Sequence, residues 1–256
     1  MSPKPATSPS PTRGRVSAHQ PNGSQPNGGQ PTGAPSRNGR GGGARGAVTT
    51  DRQAAYTVPG MSADDSATMA AVLQERLVSL LDLTLTLKHI HWNVVGPNFI
   101  AVHKMLDPQH AGVQEMVDDL AERIATLGGS PSGLPGRIVQ QRSWDDYELD
   151  RADSIAHLGA LDLVYQGTIA DHRAAAETAE DLDPVSQDLL IGQSGILERY
   201  HWFVRSHLED YAGGMSNAGA TSEIQAAQAV ATKSSSTKPR AGAGAAGRTP
   251  AARRAG

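Results

Sequence analysis

Five side chains able to bind a metal ion fall within thirty-two residues: His91, His103, Asp107, Asp118 and Glu122. Imidazole and carboxylate are nitrogen and oxygen donors, a set able to hold a metal ion. His103 and Asp107 are four residues apart, as are Asp118 and Glu122, so on a helix each pair shares a face. Asp107 and Asp118 are separated by close to three turns, and all four side chains therefore point roughly the same way. Eleven residues of helix nevertheless span about 17 Å, whereas metal–ligand bonds are about 2 Å long. One helix cannot bring both pairs to one ion. Either the pairs serve separate purposes, or one pair meets the other pair of a second, antiparallel copy. A two-fold dimer satisfies the second option and creates two equivalent sites at its interface. His91 ends the preceding helical stretch, and the break at Gly96-Pro97 lets it lie beside His103. The competing reading is a set of ordinary solvated polar residues.

Four long helices carry these residues. Leu73, Leu77, Leu80, Leu81, Leu87 and Ile90 recur at helical spacing and predict a first helix over about 66–94. Met105, Val113, Met116, Leu120, Ile124 and Leu127 predict a second over about 99–127, stopped by Gly128-Gly129-Ser130-Pro131. A long connection follows. Within it Ser143-Trp144-Asp145-Asp146 reads as a capped start for a short helix. Ile155, Leu158, Leu161, Tyr165 and Ile169 predict a third helix over about 149–180. Asp183 as cap and Pro184 as first residue open a fourth over about 184–211. Strand signals are essentially absent. The expected class is all-α, a four-helix bundle with a short helix between its second and third members.

Charge divides the chain into three parts. The first fifty residues hold six basic side chains and no acid; residues 216–256 hold six basic side chains and only Glu223. Both stretches are rich in small or turn-forming residues and lack periodic apolar positions, which predicts disordered basic arms over 1–55 and 215–256. Of the 23 basic and 26 acidic side chains, the middle keeps 11 and 25, so an acidic folded unit over 56–214 lies between two cationic arms. With no cysteine, thiolate metal sites and disulfides are excluded. The amino terminus lacks the apolar run of a secretory signal, and no stretch reaches the about 18 apolar residues of a membrane span. The expected location is cytoplasmic.

The run from Lys88-His-Ile-His-Trp-Asn-Val-Val-Gly-Pro-Asn-Phe to His103-Lys-Met-Leu-Asp107, followed by Asp118-Asp-Leu-Ala-Glu122-Arg123, resembles the signature of the Dps family, DNA-binding proteins from starved cells. The resemblance covers about residues 56–212 and includes Ser143-Trp-Asp-Asp-Tyr147. It implies a ferritin-like bundle assembling as a dodecamer that oxidises ferrous iron, preferring hydrogen peroxide as oxidant, and stores ferric mineral. It implies ferroxidase ligands at His91, His103 and Asp107 of one subunit, with Asp118 and Glu122 from its two-fold partner. Trp92, beside the ligands, reads either as a sacrificial electron donor or as an aromatic packed at the dimer interface. His89 reads as structural or solvent-facing. Glu198-Arg-Tyr-His201 has the Glu-x-x-His form of a ferritin-type bundle centre, but the second helix has no matching pair, so His201 reads as a surface or packing residue.

Asp171, Asp181, Asp183 and Asp188 gather where the family's ferritin-like pores lie. Asp183 reads as a helix cap; Asp181 and Asp188 read equally as pore carboxylates or solvated surface. Any DNA contact falls to Lys4, Arg13, Arg15, Arg37, Arg40 and Arg45, or to Lys233, Lys238, Arg240, Arg248, Arg253 and Arg254. Such charges grip phosphate without reading sequence, and symmetry multiplies weak contacts. The alternatives are solubilising arms without a partner, or a mainly nucleoid-compacting protein in which iron chemistry is secondary.

Overall fold

The computed structural model describes residues 56–236. Helix α1 spans Ala63–Asn93, α2 Phe99–Thr126, α3 Pro135–Gln141, α4 Ser154–Ala179, α5 Pro184–Arg205 and α6 Glu223–Ser236. Two two-residue strands, β1 (Val94–Val95) and β2 (Ala152–Asp153), pair in parallel, Val94 with Ala152 and Val95 with Asp153. Helices α1 and α2 form one antiparallel pair, α4 and α5 the other, and the pairs pack on each other.

The connection between α2 and α4 decides the topology. It leaves the far end of α2 and returns to the end of α1, where β1 and β2 meet, so it runs the length of the bundle. Its path is fixed by polar anchors on α1. Gln74 and Ser132 exchange hydrogen bonds, side-chain Nε2 to Ser132 O and Ser132 N to Gln74 Oε1, both 2.9 Å. Farther along, buried Asp82 takes Arg142 Nη2 at 2.9 Å and the indole N–H of Trp144. The short helix of the connection is α3, upstream of the expected position. Pro135 opens it, while Trp144 starts no helix and instead pins the loop to α1.

Local sequence explains the ends. Ser62 Oγ accepts from Asp65 N at the start of α1, and Asp183 accepts from Val185 N at the start of α5, the capping role expected of it. Helix α2 closes with Gly129 N donating to Ile124 O and Gly128 N to Ala125 O, with Gly128 at φ 84°. That left-handed position is open to glycine at little cost. The core is a stack of Leu73, Leu77, Leu80, Leu87 and Ile90 against Leu106, Val113, Leu120, Leu161, Tyr165 and Leu197.

The folded unit does not end at 214. Glu209 bridges Met215, Asn217 is buried, and α6 lies along α4 with Ala226 and Val230 inside. The expected disordered tail over 215–256 is therefore corrected for its first part. Glycine at 159 permits the approach, since a Cβ there would meet Ala226 O at 3.0 Å. The two short strands are likewise a local addition to the all-α plan.

Candidate metal centre

The end of α1 and the first turns of α2 place three of the five expected ligands together. Ligand atoms of His91, His103 and Asp107 all lie within 4.8 Å of one another. The turn at Gly96, with φ 100°, reverses the chain between them; a Cβ there would strike the Asp153 carboxylate. The two imidazoles stack with centroids 3.6 Å apart and planes 25° from parallel.

Their backbone bonds are reciprocal. His91 Nδ1 lies 3.0 Å from His103 O, and His103 Nδ1 lies 2.9 Å from His91 O. Carbonyl oxygens only accept, so each Nδ1 carries the proton and donates it. Each Nε2 is left with a lone pair, the tautomer a metal ligand requires. Asp107 Oδ1 sits 3.3 Å from His91 Nδ1 and 2.9 Å from Lys88 Nζ. The Lys88 hydrogen bond, aided by the nearby positive charges, holds the Asp107 carboxyl below its usual range against a smaller opposing effect of burial. Asp107 is therefore an anion, already paired with the Lys88 ammonium. No role for Lys88 was read from the sequence. The signal was its i,i+3 spacing to His91, which puts both on one face of α1.

Asp118 and Glu122 do not join this group. Both are exposed, on later turns of α2. Asp118 lines an open hollow of about 560 Å³ with Leu81, Thr84 and Glu115. Glu122 lines another of about 400 Å³ with Asp119, Arg123 and Asp188. Both hollows lie on the outside of a single subunit. Trp92, next to His91, is 73% exposed, and Leu85, Leu134 and Val139 are exposed as well.

The other candidates separate clearly. His201 is held by buried Asp162, Nε2 to Oδ1 at 2.7 Å. Asp162 also takes Asn217 and Gln166, and these hydrogen bonds outweigh burial and leave its carboxyl below the usual range. Inside the bundle, His172 Nε2 meets Gln193 Oε1 at 2.9 Å and Tyr165 donates to Gln109 at 2.7 Å. These groups are neutral and carry no carboxylate pair, so the bundle centre is not of the ferritin type. His89 is structural, its Nε2 2.8 Å from Leu149 O. Asp183 binds Arg123 Nη2 at 2.6 Å besides capping α5, whereas Asp181 and Asp188 are exposed. Lys233 belongs to α6. Lys4, Arg13, Arg15, Arg37, Arg40, Arg45, Lys238, Arg240, Arg248, Arg253 and Arg254 lie outside the described residues.

Comparison with known proteins now adds the relationship. The Ferritin-like domain family matches residues 70–213. The DNA protection during starvation protein of Mycolicibacterium smegmatis is 53% identical over 179 residues, 70% of this chain and 98% of that protein. The chain belongs to the Dps family. A solved Dps structure from Mycobacterium smegmatis superposes with a TM-score of 0.64 at 55% identity, covering 64% of this chain and 94% of that one. A Dps from Streptomyces coelicolor gives 0.63 at 56% identity, covering 64% and 98%. Within the Dps fold the long α2–α4 crossing lays α3 against α1. No helix among the described residues is long and apolar enough to cross a membrane.

Proposed function

We propose that this protein is a ferroxidase and iron-storage shell. Ferrous iron is its substrate, hydrogen peroxide its oxidant and ferric mineral its product. The observation that carries the reading is the convergence of His91, His103 and Asp107, with both imidazoles held in the metal-binding tautomer. Three donors leave an ion under-coordinated. Asp118 and Glu122 of the partner subunit complete the set, because helical length keeps the chain's own pair about 17 Å away; Trp92, exposed beside His91, is available for the two-fold partner to cover. Hard carboxylates then favour the ferric product. Lys88 holds the Asp107 carboxylate until ferrous iron displaces it.

Self-association continues from the dimer to a dodecameric shell. Asp188 and Glu122 line one hollow, so a cation-attracting carboxylate lies near one of the two partner ligands; Asp181 is exposed and free to serve the same attraction. The test is the double variant His103→Ala, Asp107→Ala. Peroxide-driven iron oxidation falls at least ten-fold while native mass still reports the assembled shell. An unchanged rate removes the site.

DNA protection is the second part of the function, and the segregation of charge supports it. An acidic folded unit repels DNA, while twelve basic residues lie in its terminal stretches. Non-specific phosphate contacts in a cytoplasmic, nucleoid-associated shell follow from that pattern. Deleting residues 1–55 and 237–256 abolishes a low-salt gel shift; a shift that persists assigns DNA contact to the folded unit. The reading of a primarily nucleoid-compacting protein requires DNA compaction to survive the double ligand variant and to account for all protection from peroxide.

A further inference from the structure

Behind the cluster, on the other side of α1, lies a tyrosine–histidine pair that the proposed chemistry leaves unused. Tyr147 OH is 3.0 Å from His157 Nδ1, and the rings are 13° from parallel with centroids 6.0 Å apart. His157 is fully buried, and burial pulls its pKa down to about 4, so its ring is neutral and its Nδ1 is free to act as a base. Burial, then the Glu223 carboxylate, hold the Tyr147 phenol well above its usual range, so it rests protonated. The pair touches the ligand-bearing helix. His89 meets Tyr147 edge-on at 5.8 Å, and His89 is two residues from His91. At 3.6 residues per turn these two project from opposite sides of α1, so Tyr147 and the cluster are separated by about one helix diameter, roughly 10–12 Å.

We propose that Tyr147 is a one-electron donor to the His91–His103–Asp107 site, passing its phenolic proton to His157 Nδ1 as it is oxidised. This rests on the ferroxidase reading. Hydrogen peroxide must accept two electrons to become two waters, and a site holding a single ferrous ion supplies one. The second comes from Tyr147. The O–O bond breaks, two solvent protons enter the two waters, the ferrous ion becomes ferric and the phenol becomes a neutral phenoxyl radical. Its own proton stays on His157 as imidazolium. A later ferrous ion returns an electron to the radical, and His157 returns the proton. The hazard avoided is hydroxyl radical escaping from a half-filled site.

Two other tyrosines, Tyr165 and Tyr200, show why this one is suited. An oxidised phenol is a far stronger acid than imidazolium, so it needs a base in hydrogen-bond reach, even a weak one. Tyr165 is buried too, but it donates to the carboxamide of Gln109, which is no base. Tyr200 reaches only Pro108 O, at 3.5 Å. At His157 burial and the nearby His89 work against the protonated ring, while the backbone of Asn93 and of Asp150 and the Asp153 charge offset part of that cost.

The experiment uses the assembled full-length protein loaded anaerobically with less than one ferrous ion per site and mixed with hydrogen peroxide. Absorbance follows iron oxidation, and freeze-quenched samples are read by electron paramagnetic resonance. The expected result is a tyrosyl signal that narrows in protein grown on ring-deuterated tyrosine, disappears in Tyr147→Phe and persists in Tyr165→Phe. In the unmodified protein the signal also carries a coupling to an exchangeable proton, lost in D₂O, from His157 at the phenoxyl oxygen. This readout decides the matter without any variant, should Tyr147→Phe fail to assemble. Iron oxidation without a tyrosyl signal, a signal lacking the exchangeable coupling, or one that survives Tyr147→Phe overturns the donor and leaves the ferroxidase reading intact. Absence of iron oxidation overturns both.

Discussion

Buried histidines give the clearest consequence at the scale of single residues. His157 and His172 are both fully buried, and desolvation lowers each pKa from 6.5 to about 4; at His172 the Arg76 charge adds to the effect and the Gln193 hydrogen bond opposes it. Between those two values the unfolded chain binds protons at these positions and the folded chain does not. Stability therefore falls as the pH drops from about 6.5 to about 4, and this contribution is flat above 6.5. Thermal midpoints measured across that window should decline and should decline less in His172→Gln, which removes one of the two groups. A midpoint independent of pH over the window contradicts the assignment of both rings as buried and neutral. Burial separates these histidines from His91 and His103, which share their residue type but are only half-buried and sit in one group with the Asp107 carboxylate. Sequence could not tell the four apart by type. Spacing did part of it, because His103 and Asp107 are four apart and Gly96-Pro97 folds His91 back. The role of His157 was not legible, since its partner Tyr147 lies in a loop and no helical spacing connects them.

Element-scale behaviour is governed by what pins each helix. The long amphipathic stripes made α1, α2, α4 and α5 legible, with ends set by Ser62, Gly128, Asp183 and Pro184. Helix α3 was displaced from its expected position because Trp144, read as the second residue of a helix start, spends its indole N–H on Asp82. Helix α6 went unseen for a different reason. Its buried face is Glu223, Ala226, Ala227 and Val230, and alanine carries too little hydrophobicity to print a stripe. What holds it is close approach. Glu148 Oε2 accepts from Ile224 N at 3.2 Å, Glu223 Oε2 accepts from Glu148 N at 2.8 Å, and Gly159 lets the helix backbone come in. Gly159→Leu therefore expels α6. Hydrogen exchange should show protection lost over 223–232 and retained in α1 and α2, with iron oxidation at half the original rate or better. Protection unchanged in the variant contradicts the close-packing account.

At the scale of the whole molecule, the central claim is that the iron site belongs to two chains. It follows from a length, about 17 Å of helix between two ligand pairs, and from the placement of only three ligands in one group. Mixed assembly tests it most directly. One chain carries His103→Ala with Asp107→Ala; the other carries Asp118→Ala with Glu122→Ala. Each variant alone forms an inactive shell. Refolded together in equal amounts, half of the two-fold dimers are mixed, and each mixed dimer rebuilds one complete site from the intact half of each chain. The account predicts that peroxide-driven iron oxidation returns to about a quarter of the original rate. A mixture as inactive as its parents would contradict it.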